Sequence, residues 1–245
     1  MMSLKDKVII IMGASSGIGA ATTNYLANYG AKLVIAARRK DRLDELKDAL
    51  PEACISTIKA DVTKFEEVQA VVDYTVDKFD HVDVMFNNAG IMPANPLVKG
   101  QRQEWQNILD INVMGVLNGI AAVLPVMVKQ KYGHIIATDS VAGHVVVPNL
   151  AVYNGSKFAV RAIMEGLRQE QRNNGIKTSI ISPGAVHTEL FNSINDPKNR
   201  QAEIEVEKAI GLDPEQIAKA VAYAIDTSQD TDVNEIIIRP IGQSV

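Results

Sequence analysis

Apolar positions along this chain follow two rhythms. Short, β-branched runs alternate with longer stretches in which apolar residues return at helical spacing, the marks of buried strands and amphipathic helices. KVIIIMG (7–13), AKLVIAA (31–37), CISTIKA (54–60), VDVMFNN (82–88), HIIATDS (134–140), KTSIIS (177–182) and EIIIRP (235–240) predict strands. Helices are predicted over 17–29, over 41–50 up to Pro51, over 63–79, around 103–130, and near 151–173 and 214–226. Thr63 and Glu66 have the spacing of a capping box. Such alternation argues for a Rossmann-type, doubly wound α/β fold, a parallel sheet with helices on both faces. No repeat, low-complexity tract or linker divides it, so residues 1–245 are expected to form a single domain. The least regular stretch, ELFNSINDPKNRQAEIEVEKAIGLD (189–213), is polar and charged with some helical character later on; it is long for a connection and reads as a substrate lid or binding loop.

Composition narrows the function classes. The chain is 47% apolar and 22% charged, values of a soluble globular protein. A net charge of −4 without any basic tract gives nucleic acid no electrostatic footprint. No unbroken apolar run reaches the ~18 residues of a membrane span. The opening MMSLKDKVIIIMG lacks a signal-peptide pattern, and the expectation is a cytoplasmic protein. Cys54, the only cysteine, excludes an intrachain disulfide and is expected to be a small buried strand residue. Asn154-Gly155-Ser156 matches a glycosylation sequon, which means little without secretion. His81, His134, His144 and His187 show no zinc-ligand spacing, so no metal is expected. No G-x-S-x-G nucleophile elbow is present.

Three groups of residues carry chemistry. GASSGIG (13–19) joins the first strand to the first helix, where free backbone N–H groups and a helix dipole receive phosphates. Gly13, Gly17 and Gly19 allow a tight turn and close approach, at a G-x3-G-x-G spacing that is neither a P-loop nor the usual dinucleotide fingerprint. At the end of the second strand, Ala37 stands where an acid would accept from the ribose of NAD, and Arg38, Arg39 and Lys40 follow; that basic run favours the 2′-phosphate of NADP. In YNGSK (153–157), Tyr153 and Lys157 share one helical face. A neighbouring ammonium lowers a phenol's pKa and makes the pair a candidate acid/base.

Taken together and in order, these segments resemble the classical short-chain dehydrogenases/reductases over nearly the whole chain. GASSGIG resembles their cofactor loop, with Ser15, Ser16 and Ile18 inside it. ADV (60–62) resembles the adenine-contacting segment, with Asp61 the matching acid and Val62 beside it. NNAG (87–90) resembles the central-strand motif and contributes Asn88, Ala89 and Gly90. SPGAVHT (182–188) resembles the segment that holds the nicotinamide amide, with Pro183, Gly184, Val186 and Thr188. Asn112, Ser140, Tyr153 and Lys157 match the catalytic four. Two departures stand out. Met12 replaces a common threonine whose hydroxyl ties neighbouring loops, and Asp139 replaces a small residue before Ser140.

The resemblance implies an NADP(H)-dependent carbonyl reductase or alcohol dehydrogenase. In that scheme Tyr153 is the general acid or base, Lys157 lowers its pKa and holds the nicotinamide ribose, and Ser140 positions the substrate oxygen. Asn112 anchors a water linking Lys157 to solvent. VAGHVVVPNLAV after Ser140, with Met92, Leu190 and Phe191, suggests a ketone, aldehyde or secondary alcohol with apolar substituents. Sugars and acyl-carrier-bound ketones are alternatives, as are a non-catalytic NADP-binding sensor or scaffold and an epimerase or dehydratase of the extended relatives. His187 lies inside the nicotinamide segment and is expected near the cofactor. Apolar residues on the long helices, including Val123, Val126, Phe158 and Ile163, and the family's habits imply a homotetramer.

Overall fold

The computed structural model describes residues 4–244; Met1–Ser3, where the leader reading begins, and Val245 lie outside it. Its strands are Val8–Met12 (β1), Lys32–Ala37 (β2), Ile55–Lys59 (β3), Val84–Asn87 (β4), Gly133–Thr138 (β5), Ile176–Pro183 (β6) and Glu235–Ile238 (β7). The α-helices are Gly17–Asn28 (α1), Lys40–Asp48 (α2), Phe65–Phe79 (α3), Arg102–Leu109 (α4), Gly115–Gln130 (α5), Ala151–Gln171 (α6), Pro197–Ile210 (α7) and Pro214–Asp226 (α8). The strands pair in parallel in the order β3-β2-β1-β4-β5-β6-β7. This order reverses between β1 and β4, and a crevice opens beyond the carboxyl ends of the strands at such a switch point.

Both faces of the sheet are covered, so the strands are apolar on both sides. In β1, Ile10 and Met12 join a core with α3, α5 and α6, through Val71, Val123 and Met164. Ile9 and Ile11 face a second core with α1, α2 and α8, through Leu26, Leu43 and Val221. Alternation along one strand thus feeds two layers.

The structure departs from the sequence reading at several points. β3 begins at Ile55, and Cys54 is exposed just before this edge strand rather than buried within it. The capping box at Thr63 and Glu66 does not form. Instead the Thr63 hydroxyl donates to Asp61 Oδ1 (2.9 Å), and Glu67 accepts from the Asp61 N–H (2.8 Å) and pairs with Lys64 (2.9 Å). Lys64 is the N-cap of α3, without a side-chain cap. The stretch 189–213 is mostly ordered as helix: a 3₁₀ turn at Leu190–Ser193 leads into α7. Asp196 caps α7 by accepting from Asn199 N, and Pro197 opens it, a start signal carried by the sequence Asp-Pro.

α4 and α5 form one continuous helix, Arg102–Gln130, through a π turn at Asp110–Met114. An 18-residue window of it has mean hydropathy 2.0, so by length and composition it could cross a membrane. Asn112 and Asn118 interrupt its apolar run. In this fold Val116, Ile120, Val123 and Met127 of the helix belong to the core, and Asn118 donates to the Val62 carbonyl.

Candidate active site

A cleft of about 1180 Å³ opens at the carboxyl end of the sheet. At one end it is walled by Gly13, Ser15, Ser16, Gly17 and Ile18. Gly13 has φ +81°, and a Cβ there would stand 2.7 Å from the Ala89 backbone. A Cβ on Gly19 would meet the Gly13 carbonyl at 2.3 Å; Gly19 therefore supports the turn from behind the wall. Ser16 is the N-cap of α1 without a side-chain cap, and no acid occupies the first turn. The first-turn N–H groups and the positive dipole end remain available to an anion. The tie that Met12 cannot make is made by Asn88, which donates to the Gly13 carbonyl (3.0 Å) and accepts from the Thr138 hydroxyl (2.9 Å).

Ala37, Arg38, Arg39, Asp61 and Val62 form the next stretch of wall, and Ala89, Gly90, Pro183, Gly184, Val186 and Thr188 the side opposite. The two arginines differ. Arg39 donates to Ser15 Oγ (3.0 Å), Ser16 Oγ (2.8 Å) and Glu189 Oε2 (2.9 Å). Arg38 makes no hydrogen bond to the described residues. Its charge helps hold the Asp61 carboxyl below its usual range. Burial pushes the other way and is outweighed by hydrogen bonds from Thr63 together with the smaller pull of the Arg38 and Lys64 charges. Lys40 is occupied by Asp44 (2.6 Å) and Thr57 (2.9 Å).

The far half of the cleft holds Ser140, Tyr153 and Lys157. α6 buries Tyr153, Asn154, Ser156 and Lys157 on its inner side. Lys157 Nζ donates to the Thr138 carbonyl at 2.8 Å and lies 5.7 Å from the centre of the Tyr153 ring. The expected lowering of the phenol's pKa is not met in this geometry. Burial pushes Tyr153 up, Ser140 pulls it back, and Asp139 and Glu203 add to the rise. Burial also pushes the Lys157 ammonium down, while Asp139 favours it.

Asn112 sits in the π turn behind the wall of the cleft. Its side chain accepts from the Ile91 N–H (2.9 Å) and donates to the Ile91 carbonyl (2.9 Å) and Ser156 Oγ (3.1 Å). With both amide protons committed, it pins the segment after Gly90.

Asp139 is buried against the short turn Val141–Gly143, within reach of a Cβ placed on Gly143. Burial raises its carboxyl to about 6, against the pull of Lys157. Ser182 Oγ donates to it at 3.4 Å. His144 Nε2 lies 2.9 Å from Glu235 and 4.0 Å from Asp139. These three residues bring potential metal-ligand atoms together, a grouping that residue spacing did not reveal. Arg161, 3.4 Å from Glu235, places a cation there already and donates to the Gly143 carbonyl (3.1 Å).

Met92, Tyr153 and Ile194 form a small apolar cluster over the chemical end, with Leu150 and Leu190 packed against it. Phe191 also packs against this cluster but lines an outer groove beside the cleft, and so does His187, whose exposed ring lies against Gly211. Some residues of the site were not foreseen. Asn154, read only as a sequon, is buried and donates to the carbonyls of Ala142 (2.8 Å) and Val145 (2.9 Å). Glu203 and Glu207 of α7 enter the cleft; their i,i+4 spacing is informative only once 197–210 is known to be helical. Glu207 accepts from the Thr188 N–H (3.2 Å) and is raised to about 7 by burial. Glu203 is also raised by burial and has no hydrogen bond or ion pair among the described residues.

The sequence profile described as short chain dehydrogenase matches residues 7–199. An uncharacterized oxidoreductase of Staphylococcus saprophyticus is 50% identical, covering 100% of both chains. A short chain dehydrogenase/reductase from Burkholderia phymatum in complex with NAD superposes with a TM-score of 0.89 at 28% identity, over 97% of this chain and 90% of that one. An alcohol dehydrogenase from Thermococcus sibiricus complexed with 5-hydroxy-NADP gives 0.86 at 28% identity, over 98% of each chain.

Proposed function

Because the chain belongs to the short-chain dehydrogenase family of oxidoreductases, we propose that it interconverts a ketone or aldehyde and the corresponding alcohol with NADP(H). The observation that carries the reading is the cleft itself: Ser140, Tyr153 and Lys157 stand at one end, and the glycine turn and arginines at the other. A nicotinamide dinucleotide, when bound, supplies or accepts the hydride. The close backbone approach at Gly13 and Gly19 and the uncapped start of α1 fit its pyrophosphate. Asp61, Val62, Asn88 and Ala89 would flank the adenosine side, and Pro183, Gly184, Val186 and Thr188 the nicotinamide amide.

Tyr153 would donate a proton to the substrate oxygen during reduction and take it back during oxidation. Burial keeps the phenol protonated at neutral pH, the form from which a developing alkoxide can draw a proton. The Ser140 hydroxyl would hold the substrate oxygen and stabilise its growing charge. Lys157, held at the Thr138 carbonyl, would bind the nicotinamide ribose and keep a positive charge beneath the phenol.

Arg38 and Arg39 beside Ala37 support NADP as the cofactor. The apolar roof of Met92, Leu150 and Leu190, and the carboxylates of Glu203 and Glu207, support an uncharged substrate over a carboxylate-bearing one. A cytoplasmic setting suits the lone, unpaired Cys54. The test is NADPH consumption with a panel of uncharged ketones and aldehydes, in wild type and Tyr153→Phe. The variant should lose about 10²–10⁴-fold in rate while still binding NADPH. Full activity in the variant would overturn the assigned mechanism. NADPH binding with no turnover of any carbonyl would favour the sensor reading.

A further inference from the structure

The root of the lid is tied across the mouth of the cleft by a side chain that neither the catalytic residues nor the glycine turn require. Glu189 follows Thr188 and pairs with two arginines. Arg42 Nη1 donates to both of its carboxylate oxygens at 2.7 Å, and Arg39 Nη1 donates to Oε2 at 2.9 Å. Arg42, and then Arg39, hold the carboxyl below its usual range, so it is an anion at neutral pH. The rest of the Arg39 fork is engaged at the same time: Nε reaches Ser15 Oγ (3.2 Å), and Nη2 reaches Ser15 (3.0 Å) and Ser16 (2.8 Å). One guanidinium thus joins the glycine turn, the end of β2 and the start of the lid.

Arg39 and the two serine hydroxyls also form the polar pocket that a ribose 2′-phosphate would enter. Phosphate engages a guanidinium best through two parallel N–H bonds, and Glu189 already occupies one edge of this fork. A second anion at that edge meets repulsion unless the first withdraws.

We infer that Glu189 competes with the dinucleotide 2′-phosphate for Arg39, which makes it a determinant of the choice between NADP(H) and NAD(H) located on the lid. The inference rests on the dinucleotide reading of the cleft. The uncharged 2′-hydroxyl of NAD does not challenge the ion pair. By reciprocity, 2′-phosphate binding loosens the root of the lid and 2′-hydroxyl binding does not. Arg42 keeps a hold on Glu189 after Arg39 is taken, so the carboxylate changes partners without being left unpaired.

The test is calorimetric binding of NADP⁺ and NAD⁺ to wild type, Glu189→Gln, Arg39→Gln and the double variant. Glu189→Gln keeps the shape of the side chain and removes its charge. It should tighten NADP⁺ about tenfold relative to NAD⁺, and this gain should vanish in the Arg39→Gln background. Hydrogen exchange of 190–210 in wild type gives a second measurement, with faster exchange expected under saturating NADP⁺ than under saturating NAD⁺. An unchanged affinity ratio in Glu189→Gln, or a gain that survives without Arg39, would overturn the inference. If the variant does not fold, wild-type exchange decides, and equal protection by the two nucleotides overturns it. A wild type that bound neither nucleotide would overturn the dinucleotide reading, and this inference with it.

Discussion

Ala37 and Arg38 are adjacent on the chain and make opposite statements about the cofactor: one is the absence of an acid, the other the presence of a cation. Arg38→Ala should lower the NADPH preference, measured as the ratio of kcat/KM with NADPH to that with NADH, by about tenfold to a hundredfold. Ala37→Asp should reverse the preference, since a carboxylate repels the phosphate and accepts from ribose hydroxyls. Wild type that uses both cofactors equally would refute the NADP assignment. Sequence pointed to these residues, but it could not separate Arg38, without a hydrogen bond among the described residues, from Arg39, whose bonds to Ser15, Ser16 and Glu189 span distant segments. Asp139 carries a different consequence. Its folded-state value of about 6 lies above the ordinary 3.8, so the folded protein keeps a proton there that the unfolded chain has lost. Its contribution to stability therefore falls as pH rises from 3.8 to about 6 and stays low above that. The size is on the order of 2–3 kcal/mol. Buried His134, lowered to about 3, works in the opposite direction over much of the same range, so the wild-type profile alone is not diagnostic. The difference between wild type and Asp139→Asn isolates the carboxyl. The variant should match wild type near pH 4 and be more stable at pH 7, measured by urea unfolding across that range. Equal stability at pH 7 would show that the carboxylate is better compensated than its surroundings imply.

Among the elements, strands and helices follow closely from the hydrophobic rhythm, because burial on both faces leaves a parallel strand little polar variation. Boundaries and caps were less legible. The Thr63–Glu66 spacing satisfied a capping rule, yet Thr63 bonds Asp61 and Glu67 replaces Glu66; a neighbouring acid offered a competing acceptor. The lid was read as the least regular stretch, with some helical character late in it; its polar residues left the extent of α7 open, because the inner face of that helix is partly acidic, with Glu203 and Glu207 turned to the cleft. α6 illustrates how an element builds a site. Tyr153 and Lys157 were recognisable from their spacing, whereas the role of Asn154 depends on carbonyls of a loop that no spacing rule brings near. Asn154→Ala would leave the Ala142 and Val145 carbonyls without their donor. It should cost about 1–3 kcal/mol and raise hydrogen exchange in 142–147. It should also raise KM for the carbonyl substrate more than KM for the dinucleotide, because the loop walls only the substrate end. An unchanged exchange rate in that loop would contradict this role.

At the scale of the molecule, the sheet directs every motif toward one rim, which is why segments as far apart as 13–19 and 182–188 line one cleft. Not every apolar residue read as an assembly face is free for one. Val123 belongs to the core, and Val126 and Ile163 pack against it, while Leu109, Met114 and Phe158 remain exposed on the side of α4, α5 and α6. We expect this side to pair with a second copy within a homotetramer, and light scattering at micromolar concentration should return four chain masses. A Phe158→Glu variant should return a smaller species, and a wild-type monomer would exclude the assembly. The long helix Arg102–Gln130, with its uncharged window of mean hydropathy 2.0, also bears on how the molecule is made. Its cover in the core includes Val68, Val71 and Val72 of α3, which leave the ribosome about 50 residues earlier, on the order of 2.5–10 s at 5–20 residues per second. When the apolar stripe emerges, the helix it packs against has already been made. The order in which the fold is synthesised therefore hands its most membrane-like segment a cover as soon as that segment appears.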